Sequence, residues 1–176
     1  VHGTPKIWRI GATPQRQDDG YQIVIPKGSI AVFNTSSFKR SFLAMLTTGP
    51  GYYTDEAVTA FLTDIVKVLH EHGRTMVFKL KRINKNDSIR YHQLIEDLKR
   101  QPNFIELDPG VSATRIIEQC DGVISSPYTS TSVAAKIMDK PAIYYDAIDN
   151  LDETENGHHG VPLLVGYEAL ENWVKN

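Results

Sequence analysis

The chain has 176 residues, enough for a single domain with one continuous core. Apolar residues make up 41% and charged residues 23%, which excludes a disordered chain. A formal net charge of −2 and a pI near 6.3 argue against a general nucleic-acid or anionic-membrane surface, while leaving room for a local basic pocket.

Residues 1–27 carry little periodic pattern, and the chain opens on Val1 rather than methionine. Both features fit a piece of a longer polypeptide; a removed start residue or tag gives the same picture. Residues 1–28 are therefore read as an extension or inter-domain segment and 29–176 as the domain. No apolar run approaches the ~20 residues that cross a bilayer, and no signal-peptide pattern opens the chain.

From Ser29 onward, strand-like and helix-like segments alternate. Ser29 to Asn34 (SIAVFN) is a short apolar run, a buried strand. Residues 35–53 then separate it from its helix by far more than the usual ~2–6 residues. With Lys39, Arg40, aromatic pairs and the Gly49-Pro50-Gly51 turn, this stretch reads as a mobile loop with a short helical piece, either a lid or a packing insertion. Asp55 to His72 bears an apolar stripe at Val58, Phe61, Leu62, Ile65, Val66 and Leu69, with Thr54 as N-cap and Gly73 as stop. Thr75 to Leu80 is the next strand. Asp87 or Ser88 caps a helix to Arg100, with Ile89, His92, Leu94, Ile95 and Leu98 near one face.

Pro102-Asn103 breaks that helix, and Phe104 to Leu107 is a strand. Ser112 caps a short helix, Ala113 to Cys120, whose single cysteine excludes an internal disulfide and reads as a small core residue. A short strand around Val123 and Ile124 ends in Ser125-Ser126-Pro127, and a helix runs on to Met138. Lys140 to Asp146 is the following strand, Ala147 to Gly160 a polar loop, Val161 to Val165 a strand, and Glu168 to Val174 the last helix. This alternation predicts an α/β fold, a Rossmann-like doubly wound parallel sheet with helices on both faces.

The hydroxyl cluster carries the clearest chemistry. Four of the six residues from Ser126 to Thr131 are Ser or Thr, and Ser125 and Ser132 extend the set, whereas helix capping needs only one. Free N–H groups and hydroxyls at a helix start suit an anion such as a phosphate, and sites in such folds lie at the carboxyl ends of strands. The chain therefore looks like a binder of a phosphorylated small molecule. Lys79, Lys81 and Arg82 follow another strand, either a solvated strand end or a neutralising patch. Asp108-Pro109-Gly110 reads first as a turn with Asp108 as its Asx residue, and otherwise as a contact to base or ribose. His158-His159 near Glu153 and Glu155 matches no standard metal spacing and reads as loop. No G-x-G-x-x-G, P-loop, G-x-S-x-G or C-x-x-C occurs, which disfavours a dinucleotide oxidoreductase, a P-loop kinase and an α/β-hydrolase.

Over residues 29 to 175, the order of features resembles the C-terminal, donor-binding half of a GT-B glycosyltransferase of surface or capsular polysaccharide biosynthesis, sialyltransferase-like. SIAVFNTSS resembles the opening strand of that half. FKLKR stands where such enzymes often carry an F-K-x-H-P-type motif, and GVISSPYTSTSVAAKIMDKPAIYYD resembles the strand, paired-serine motif, helix and G-K-P strand. Lys81 and Arg82 replace the histidine and proline, and Asp139 replaces the glycine, so the resemblance leaves the donor open.

The resemblance implies a nucleotide-sugar donor whose phosphate is held by Ser125, Ser126, Thr129, Ser130, Thr131 and Ser132. Lys79, Lys81 and Arg82 would assist, and Asn34, Ser36, Asp108 and Pro109 would touch base, ribose or sugar. It also implies a saccharide acceptor, an N-terminal partner domain, and neither cofactor nor metal. UDP-sugar 2-epimerases and glycerophosphate polymerases share these motifs. A non-catalytic Rossmann-like scaffold or regulatory module is the alternative of a different class. The expected location is cytoplasmic, with peripheral attachment to the inner membrane face left open.

Overall fold

The computed structural model describes residues 20–43, 51–80, 85–151 and 159–176. Six strands form one parallel sheet: β1 (Ile30–Phe33), β2 (Met76–Lys79), β3 (Phe104–Leu107), β4 (Gly122–Ser125), β5 (Ala142–Asp146) and β6 (Leu163–Val165). Their spatial order is β3-β2-β1-β4-β5-β6, and every pairing is parallel. The winding reverses between β1 and β4. Each half of the chain therefore leaves from one side of that seam, and a crevice opens outside the carboxyl ends of the two central strands.

The helices are α1 (Arg40–Leu43), α2 (Asp55–Glu71), α3 (Ile89–Leu98), α4 (Ala113–Gln119), α5 (Ser130–Ile137) and α6 (Tyr167–Lys175). Helices α2, α3 and α6 cover one face of the sheet, with Ile30, Val32, Phe78 and Ile124 packed beneath them. Helices α4 and α5 cover the other, over Ala31, Phe33, Val77 and Val123, and Ile23 and Ile25 of the leading segment join them. Central strands buried on both sides must be apolar throughout, as the runs IAVF and MVFK show.

The longest helix illustrates how local signals set the frame. Thr54 accepts from the Ala57 N–H at 3.2 Å, and Asp55 and Glu56 sit in the positive first turn. The helix stops at Gly73, whose φ of 64° is left-handed. Gly73 N–H bonds His70 O and Arg74 N–H bonds Leu69 O, the double closure of a Schellman motif.

One stripe differs from expectation. In α3 the buried residues are Tyr91, Ile95 and Leu98, whereas Ile89 is 70% exposed and His92 is also exposed. The spacing 91, 95, 98 defines the core face, and Ile89 and His92 lie off it. Ser88 is the cap, accepting from Arg90 N–H. Ser112 occupies the N-cap position of α4 without making a capping bond to the helix. Cys120 is buried in the α4–α5 core, as expected of a small core residue.

The described ends of the long 35–53 segment are fastened down. Phe38 stacks on Tyr53 with centroids 4.9 Å apart and meets Phe42 edge-on. Phe38 N–H donates to Tyr53 O, and Lys39 N–H to Asn86 O. The short helical piece is α1; residues 44–50 lie outside the described residues.

Candidate functional site

The hydroxyl-rich segment folds where the sheet reverses. Phe33 of β1 is in register with Ser125 of β4, and Ser126 N–H bonds Phe33 O at 2.9 Å. Thr35 N–H bonds Ser126 Oγ at 3.2 Å, closing the seam just beyond the strand ends. Thr129 N–H then returns to Ser126 O, so Ser126 to Thr129 is a β-turn. Proline fixes a negative φ at its second position, and Tyr128 has φ 59° at its third. That combination is a type II turn, in which the third residue is usually glycine. A bulky residue there is held by its surroundings. The Tyr128 ring lies 5.9 Å from that of Tyr144, which donates its hydroxyl to Thr129 O at 3.1 Å. Burial pushes the Tyr144 hydroxyl up to about 12, so it remains a proton donor.

The six hydroxyls divide into two groups. Ser125 and Ser132 are fully buried, and their Oγ atoms are 2.5 Å apart. Ser132 donates its only proton to Ile143 O at 3.0 Å, so Ser125 must be the donor between the two serines. This pair fastens the end of β4 and the start of α5 to β5. Ser126, Thr129, Ser130 and Thr131 line the turn itself, with Ser130 exposed and Thr129 and Thr131 half-buried.

Thr129 stands at the N-cap position of α5, yet its hydroxyl makes no capping bond. It donates instead to Ser126 O at 2.9 Å and lies 3.3 Å from Thr131 Oγ. The helix start therefore offers its first backbone N–H groups uncapped by a side chain, with no acidic residue in its first turn. The arrangement can hold an anion.

The other predicted residues are more scattered. Lys79 ends β2, in register with Phe33 and so one strand from the seam. Lys81 and Arg82 lie outside the described residues, as do His158, Glu153 and Glu155. Asp108 follows the outer strand β3, two strands from the crevice. Its Oδ1 accepts from Gly110 N–H at 2.7 Å, the Asx turn expected of it, and Pro109 lies within that turn. Ser36 donates to Asp87 Oδ1 at 2.6 Å. No group of three or more His, Cys, Asp or Glu residues suited to a metal occurs among the described residues.

On the α2 side a small cleft opens between Ala57, Val58 and Phe61 of α2 and Ser126, Asp146 and Ile148 at the strand ends. Its volume is about 270 Å³ counting the part open to solvent, room for part of a small ligand rather than all of one. Asp146 shapes its wall. Its buried carboxylate accepts from the N–H groups of Ile148, Asn150 and Leu151, holding that loop.

The acidic residues around this side, Asp55, Asp87 and Asp146, and the partnering Tyr91 and Tyr144 were missed by reasoning from sequence. Asp87 gave a signal only as a candidate helix cap, and Asp146 as a carboxylate ending a strand.

A family model described as "Polysaccharide biosynthesis PFTS motif protein" matches residues 2–174. In this chain Pro127-Tyr128-Thr129-Ser130, which runs from that turn into the first residue of α5, spells those four letters with Tyr for Phe. No curated protein matches. Among solved structures, a mutant of S. aureus TarM in complex with Fondaparinux, alpha-GlcNAc-glycerol and UDP is similar at 12% identity and a TM-score of 0.49. The match covers 84% of this chain and 28% of that one, so this chain spans little more than a quarter of its length.

Proposed function

Since the chain belongs to the family of polysaccharide biosynthesis PFTS motif proteins, we propose that it is the donor-binding domain of a glycosyltransferase, with a nucleotide-activated sugar as its ligand. The observation that carries this reading is the uncapped start of α5 at the seam between β1 and β4, lined by Ser126, Thr129, Ser130 and Thr131. Building a polysaccharide requires glycosyl transfer from an activated donor. In that step the bond from the sugar's anomeric carbon to the nucleotide phosphate breaks, and a bond to an acceptor hydroxyl oxygen forms. The acceptor's proton passes to a base, and negative charge grows on the departing phosphate.

Helix N–H groups and hydroxyls aimed at that phosphate stabilise the charge as it develops. Lys79 at the neighbouring strand end adds positive potential on the α4–α5 side. Ser125 and Ser132 act indirectly, by fixing the helix start against β5. The saccharide acceptor and a second, N-terminal domain complete the reaction in this reading, and the donor's base and sugar are set by the experiment below.

Calorimetric titration of the chain with CMP-, UDP-, GDP- and CDP-linked sugars tests it. Saturable binding to one of them is expected, weakened when Ser130 and Thr131 are both changed to alanine. Absence of heat with every nucleotide would overturn the reading in favour of a non-catalytic module.

A further inference from the structure

The crevice has two sides of opposite electrical character. On the α5 side stand an uncapped helix start and no acid in the first turn. On the α2 side stand Asp55, which accepts from Ser37 and Ser88, and the buried Asp87, which accepts from Ser36. A phosphate belongs on the first side and is repelled from the second.

The second side nevertheless holds unsatisfied hydrogen-bonding groups. Asn34 directly follows β1 and is only 4% exposed. Its Oδ1 accepts from the Tyr91 hydroxyl of α3 at 3.2 Å, while its buried Nδ2 has no acceptor among the described residues. The buried Thr35 Oγ1 beside it is likewise without a partner among the described residues. Thr35 is joined through its backbone to Ser126, which lines the cleft. A buried donor left unpaired costs about 1–3 kcal/mol, so two such atoms at one strand end oppose folding. Asn103 also has an orphan atom, but it precedes β3 at the opposite edge of the sheet.

We propose that the Asn34 carboxamide and the Thr35 hydroxyl form a subsite for an uncharged oxygen of the ligand, on its nucleoside or sugar portion and not on its phosphate. This deepens the nucleotide-sugar reading and rests on it. The ligand would straddle the seam, its phosphate at α5 and its neutral part under α2. The carboxylates favour that division. Burial, helped by Asp87 and Glu106, raises the Tyr91 hydroxyl above its ordinary range, so it keeps the proton that it donates to Asn34 Oδ1.

The test uses the double variant Asn34→Leu, Tyr91→Phe, which removes the orphan donor and the partner of its carbonyl together. Such a change is expected to leave the melting temperature equal to or above that of the unaltered chain. Titrations use CMP, UDP, GDP, CDP and inorganic pyrophosphate. The nucleotide bound by the unaltered chain should bind the variant about ten-fold more weakly, with pyrophosphate unaffected. In NMR spectra of the unaltered chain, the Asn34 side-chain amide pair, assigned through its connectivity to the Asn34 backbone, should shift with that nucleotide and stay fixed with pyrophosphate.

Unchanged nucleotide affinity, an unmoved amide pair, or an equal loss for pyrophosphate overturns the subsite while leaving the phosphate site standing. Silence of the unaltered chain towards every nucleotide removes both. Should the variant not fold, the amide signals of the unaltered chain still decide the matter.

Discussion

Ser132 gives its proton to Ile143 O and receives that of Ser125, so Ser132→Ala strands two buried groups at once. A loss of about 1–3 kcal/mol is expected, read as a lower midpoint in urea denaturation followed by circular dichroism. Ser130→Ala, at an exposed position two residues earlier, should stay within about 0.5 kcal/mol of the parent. Tyr128→Phe keeps the ring that packs near Tyr144 and restores the letter in the family's name. Its melting temperature should match the parent's, whereas Tyr128→Ala should lower it. The sequence displayed the wealth of hydroxyls but not their division. Which serine turns inward depends on where the strand ends and the helix begins, and one residue of slippage exchanges the two groups. Asn34 illustrates a second limit: its type and position at a strand end were legible, while its missing acceptor depends on Tyr91, 57 residues away.

At the level of the element, α2 was legible because three independent signals agree on it: a capping threonine, a six-residue apolar stripe that is buried throughout and a terminating glycine. Leu62 is fully buried at its centre, and Leu62→Ala is expected to cost about 2–5 kcal/mol in the same denaturation experiment. Thr54→Ala, which removes the cap and the hydroxyl's bond to Gly51 O, should cost about 1 kcal/mol. Helix α3 was found but turned wrongly, since Ile89 and His92 were placed near the core and Tyr91 was not. Apolar character alone argued for Ile89; burial went to an aromatic whose hydroxyl could reach Asn34. Acidic side chains joining loops, such as Asp55 to Ser37 and Ser88, leave no periodic trace and could be seen only in three dimensions.

For the whole molecule, strand–helix alternation was sufficient to indicate a parallel doubly wound sheet, because such connections admit few arrangements. The strand order, and with it the seam that places the crevice, emerges from packing. The same burial on both faces sets a response to alkali. Cys120 and Tyr144 are each raised to about 12 by desolvation, from ordinary values of 9.0 and 10.0. Above about pH 9 the unfolded chain therefore gives up protons that the folded chain retains, and stability falls as pH rises. Below that pH both states keep them and the effect vanishes. Melting temperatures should be level with respect to these groups up to about pH 9 and decline beyond it, with a shallower decline in Cys120→Ala. An identical slope in the variant would refute the contribution of the thiol.

The bond from Thr35 to Ser126 joins residues 91 positions apart. During synthesis, β1 can find β2 and β3 long before β4 leaves the ribosome, and until then one flank of the central strand stays bare. An unpaired hydrophobic ribbon of that kind invites association with a neighbouring chain. A truncated polypeptide ending at Gly110 should consequently self-associate, visible as light scattering at concentrations where the 176-residue chain stays clear. The crevice would then take shape only when β4 closes that flank.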